Sequence, residues 1–71
     1  MRFETLRQEI LEAMKNKPTY IREGQFVFNY IDEKYGVARD IQFEDNIDCF
    51  YDDTQIEQFI GRAAFRISNC G

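Results

Sequence analysis

Histidine and tryptophan are absent from this chain of 71 residues, proline occurs once and glycine four times. Without histidine the chain lacks the usual general base, the Cys-His and Ser-His nucleophile pairs and the commonest zinc ligand. The glycines, Gly24, Gly36, Gly61 and Gly71, are isolated, so no glycine-rich loop is present to cradle a phosphate. The two cysteines, Cys49 and Cys70, are not spaced as a CxxC pair, which argues against a redox motif and a zinc knuckle. No run approaches the roughly 18 to 20 apolar residues of a membrane span. The start, MRFETLRQEI, is charged where a signal peptide has its apolar core. The expected compartment is therefore the cytoplasm, where a Cys49 to Cys70 disulfide is disfavoured.

What the chain does contain is apolar and aromatic material, 44% and 15% of its residues, which suffices for one packed core. A chain of this length buries roughly 60% of the surface its unfolded form exposes, which leaves little room for a deep cleft. Catalysis has no constellation to rest on, no cofactor is indicated, and a single domain over residues 1–71 is expected.

Charge is segregated. Asp40, Glu44, Asp45, Asp48, Asp52, Asp53 and Glu57 form a stretch with no Lys or Arg, whereas the rest of the chain is net basic and the whole carries -4. Such asymmetry orients a protein toward a charged partner and says nothing about fold.

Along the chain, Phe3, Leu6, Ile10, Ala13 and Met14, widened by Leu11, fall on one helical face. Pro18 ends that helix. A second helical pattern runs from Gln25 to Tyr35 through Phe26, Tyr30 and Ile31, with Gly36 placed to close it. Val27 and Phe28 do not fit its stripe.

In VARDIQF, Val37, Ile41 and Phe43 alternate with Ala38, Asp40 and Gln42, the period of a half-buried strand. IDCFY then reads as the second arm of a hairpin turning at Asp45 and Asn46, residues that tolerate positive backbone angles. Two registers are open. A three-residue loop puts Val37, Ile41, Ile47, Cys49 and Tyr51 on one face and Phe50 on the other, whereas a two-residue turn groups Ile41 and Phe43 with Phe50.

Asp52 with Gln55 three residues later resembles a capping box, and Ile56, Phe59, Ile60, Ala63 and Ile67 make the stripe of a last helix. The expected fold is a small single-domain α+β architecture. Its order is helix, helix, β hairpin, helix, with a two-stranded antiparallel sheet packed on three helices.

The acidic segment EDNIDCFYDD, residues 44–53, is the first candidate site. It fails as an EF-hand, because counting from Asp45 the third and fifth positions are Ile47 and Cys49 and no glycine is present. No metal site is expected there. Asp45, Asp48, Phe50, Tyr51 and Asp52 are instead the candidate contact residues for an unidentified protein partner, since aromatic residues are enriched in binding hot spots. Phe28, Tyr20 and Phe65 are further possible anchors. The pI of about 4.6 argues against direct nucleic-acid binding. Two alternatives to the interaction module are a nucleic-acid-associated regulator using the basic terminal helices and an acidic mimic of nucleic acid.

The block GQFVFNYIDEKYGVARDIQFEDNIDCFYDD, residues 24–53, above all its FNYIDEKYGVAR run and DCFYDD ending, resembles a short uncharacterised protein family of Bacteroides-type bacteria and their phages and mobile elements. The resemblance covers under half of the chain. It implies an intracellular bacterial or phage accessory protein and transfers no activity and no functional residue.

Overall fold

Residues 1–69 are described by a computed structural model of the chain. Helix α1 spans Phe3–Met14, α2 Glu23–Tyr35, α3 Ala38–Glu44 and α4 Ile56–Asn69, with a single 3-10 turn at Asp53–Gln55 leading into α4. Among the described residues there is no strand, so the expected α+β class and its two-stranded sheet are replaced by an all-helical fold. The pairing of Cys49 with Cys70 lies outside the described residues.

The hairpin fails for a physical reason. In VARDIQF the apolar positions are also Val37, Ala38 and Ile41, a spacing that fits one face of a helix as well as Val37, Ile41 and Phe43 fit a strand. Ala38, Arg39 and Gln42 in this run, and Glu44 directly after it, are good helix formers. The helix buries Val37, Ala38 and Ile41 and turns Phe43 outward. Asn46 does adopt a positive φ of 56°, but it terminates α3 instead of reversing a strand. The amides of Asp45 and Ile47 both bond back to the Ile41 carbonyl, at 3.1 and 3.4 Å. The same left-handed tolerance serves helix ends and hairpin turns alike.

Helix α1 is closed by the amides of Asn16 and Lys17 donating to the Ala13 and Met14 carbonyls just before Pro18. Helix α2 begins two residues earlier than expected. Gln25 Oε1 accepts from the Arg22 amide at 3.1 Å, and Gly36 closes the helix in the left-handed region at φ 71°. The buried face of α2 is Gly24, Val27, Phe28 and Ile31. Val27 and Phe28, which the expected stripe leaves out, are core residues, because α3 and α4 both pack against that side.

The centre of the protein is formed by Leu6, Ile10, Val27, Ile31, Ile41, Cys49 and Phe59, all fully buried. A polar tie joins α1 to α2: Glu9 Oε2 accepts from Tyr30 Oη at 2.6 Å, Tyr35 Oη at 2.8 Å and Lys34 Nζ at 2.7 Å. Burial raises the pKa of Glu9, but the hydrogen bonds from Lys34, Tyr30 and Tyr35 outweigh it and hold the carboxyl below its ordinary value.

Candidate partner-binding surface

The segment from Asp45 to Asp52 has no regular structure, so its shape depends on where its polar groups find partners. It is anchored on α2 at Gly24. The Gly24 amide donates to Asp53 Oδ1 at 3.1 Å, and the buried Cys49 thiol donates to the Gly24 carbonyl at 3.4 Å. A Cβ at Gly24 would collide with the Cys49 carbonyl oxygen and with Asp53 Oδ1. Only glycine permits this approach of helix and loop backbones. Arg22, two residues before Gly24, donates from its guanidinium to the Phe50 carbonyl.

The carboxylates of Asp45, Asp48 and Asp52 are engaged by groups of the same chain. Asp45 Oδ2 accepts from Arg62 Nε at 2.8 Å and Arg66 Nε at 2.9 Å, and its side chain is only 13% exposed. The Arg66 and Arg62 guanidinium groups lower its pKa from 3.8 to about 2. Arg66 extends the network to Glu44 at 3.0 Å. Asp48 Oδ1 accepts from the amides of Phe50 and Tyr51, at 2.9 and 3.4 Å, and so folds the chain into an Asx turn. The Asp48 amide in turn donates to Gln55 Oε1 at 3.1 Å.

Asp52 caps the 3-10 turn through the Thr54 amide at 3.0 Å and holds Thr54 Oγ1 and Gln55 Nε2 at 2.6 and 3.0 Å. Bonds from the Thr54 and Gln55 side chains lower its pKa. The Asp52 cap is therefore formed, but Gln55 reaches Asp52's carboxylate and the amide of Asp48, not the Asp52 amide that a reciprocal capping box uses. Among the described residues no group of three or more Cys, Asp or Glu side chains is arranged to hold a metal ion.

The aromatic residues of the same region form a surface of their own. Phe28, Arg39, Gln42, Phe43, Phe50 and Tyr51 line a shallow groove of about 240 Å³. Phe43 is 79% exposed and Tyr51 72%, although both carry large apolar area. Phe50, half-buried, stands edge-on to Phe28 at 5.4 Å between centroids and to Tyr51 at 4.9 Å. Phe28 in turn contacts the core ring Phe59 at 5.6 Å. A continuous line of rings thus runs from the core to Tyr51 at the surface.

Of the five expected contact residues, Phe50 and Tyr51 share this groove. Asp45, Asp48 and Asp52 hold the segment's own fold and do not line it. Phe28 is its floor, whereas Tyr20 and Phe65 are exposed elsewhere, with Arg62 stacked over Phe65 at 4.7 Å. Phe43 was missed by sequence reasoning because the strand period assigned it to the core. The signal that finds it is helical: on a wheel that buries Val37, Ala38 and Ile41, Phe43 falls on the open side.

Comparison with known proteins returns no matching family model, no matching curated protein and no matching solved structure.

Proposed function

We propose that this protein is a small non-catalytic protein-interaction module whose contact surface is the aromatic groove between α3 and the segment before α4. The observation that carries the reading is that Phe43 and Tyr51, two highly exposed large rings, line one groove over Phe28 and Phe50. Exposed aromatic clusters of this kind are the usual anchors of partner binding. An acidic hairpin is not the contact surface, since residues 37–51 form a helix and an irregular segment and Asp45, Asp48 and Asp52 are engaged within the chain.

The nucleic-acid reading has less support. Arg7, Lys15, Lys34, Arg62 and Arg66 are all paired with carboxylates, which removes much of the basic patch that the terminal helices would supply. The acidic mimic is weakened by the same pairs, which engage Glu44, Asp45 and Glu57.

The test is affinity capture from bacterial lysate with the tagged protein and with its Phe43→Ser/Tyr51→Ser variant, each with and without nuclease. A protein recovered by the wild type in both conditions and lost with the variant is the expected result. A catch unaffected by the variant, or one that disappears with nuclease, overturns the reading.

A further inference from the structure

A second concavity shares no lining residue with the aromatic groove. It lies where α1, the start of α2 and the start of α4 meet, and encloses about 290 Å³. Ile10, Val27 and Ile60, all buried core residues, reach its floor, and Leu11, Met14 and Ile56 form its walls. Leu11 is 40% exposed, apolar surface left open on a helix otherwise well buried at Leu6 and Ile10.

The polar lining is one-sided in charge. Arg7, Glu23, Asp53 and Glu57 bring three carboxylates and one cation. The cation is already engaged, with Arg7 Nε 3.0 Å from Glu57 Oε1. Glu23 and Asp53 have no Lys or Arg within ion-pair distance among the described residues. The cleft therefore combines an apolar floor with a net negative rim.

From this we infer that the cleft docks a basic amphipathic segment of a partner protein, inserting a large apolar side chain between Leu11, Met14 and Ile56 while flanking Lys or Arg residues pair with Glu23 and Asp53. Met14 suits such a wall, since its unbranched thioether adapts to differently shaped guests. Helix-in-groove recognition uses this arrangement of apolar anchors with charges at the edge. An acidic partner is opposed by the same rim, because like charges brought together at an interface suppress binding.

The probe is a synthetic amphipathic helix of leucine and lysine, about twelve residues or three turns long, with a leucine and glutamate peptide as its counterpart. Binding is read by amide chemical-shift changes in the isotope-labelled protein and by titration. The expected result is binding of the lysine peptide alone, with shifts centred on Leu11, Met14 and Ile56. Glu23→Lys should weaken it about tenfold or more, a loss of about 1.4 kcal/mol. Asp40→Lys, an equal change in net charge at an exposed position of α3, should weaken it far less, and Leu11→Ser should weaken it while the protein stays folded. No binding, shifts centred on the aromatic groove, or equal weakening by Glu23→Lys and Asp40→Lys overturns the inference. Because Phe43→Ser/Tyr51→Ser leaves this cleft intact, its failure and that of the groove are read separately.

Discussion

The segment between α3 and α4 has two sides made from neighbouring residues, and they are treated in opposite ways. On one side Asp45 is held by two arginines of α4, Asp48 by backbone amides and Asp52 by the start of the 3-10 turn. On the other side Tyr51, joined by Phe43 from the end of α3, is highly exposed beside Phe50. A loop without ladder hydrogen bonds needs local acceptors to fix its course, and short carboxylates supply them. Acidity in this segment is thus spent on architecture, and the aromatic rings are what remains for a partner.

Several substitutions sharpen that contrast, beginning with the frame both sides stand on. Phe59→Ala removes a fully buried ring that supports Phe28. It should destabilise the protein by about 3 to 5 kcal/mol, enough to unfold a domain of this size, as denaturant titration will show. A loss under about 1 kcal/mol would mean that Phe59 is not central.

Gly24→Ala should come next, at about 1 to 3 kcal/mol. Its Cβ meets Cys49 and Asp53, not solvent, so the damage should concentrate in residues 45–53. Amide exchange there should accelerate more than in α1. Uniform acceleration would place the strain elsewhere.

The Asp45 network should give the acid side of the stability profile. Its pKa is depressed in the folded protein, so the stabilisation it supplies is present above the ordinary value of 3.8 and is lost as pH falls toward about 2. Thermal melts of the wild type should therefore decline across that window more steeply than melts of Asp45→Asn. Parallel declines would assign the acid sensitivity to other groups. The smallest effect is expected from Phe43→Ser and Tyr51→Ser, each within about 0.5 kcal/mol in stability. If either unfolds the protein, its ring belongs to the core and the two sides of the segment are not distinct.

Much of the helical frame can be read in the sequence. Leu6 and Ile10 on α1, Gly36 at the end of α2, and Phe59, Ile60 and Ala63 on α4 follow from spacing and cap chemistry alone. The middle is harder. Seven residues of α3 give fewer than two full turns at 3.6 residues each, so helical and strand periods both fit. Choosing the wrong one inverts Phe43 from surface to core. Asn46 has the same backbone preference in either fold and does not discriminate between them. The roles of the carboxylates were open for another reason. Asp45 is paired through residues 17 and 21 positions further on, and charge composition does not register such distant pairings.

Cys49 gives the segment a chemical clock. Its sulfur is fully buried against Gly24, and burial, with the neighbouring Asp48 charge, pushes its pKa from 9.0 up to about 12. A thiol in that state does not react with an alkylating reagent, because the thiolate is the nucleophile and it is neither formed nor reached. Labelling at this position, located by mass spectrometry, then proceeds only when the segment lifts from α2. Its rate, compared with that of the unfolded chain, reports how often this lifting occurs. A partner seated on Phe43 and Tyr51 would slow the clock while leaving every residue of the segment unaltered.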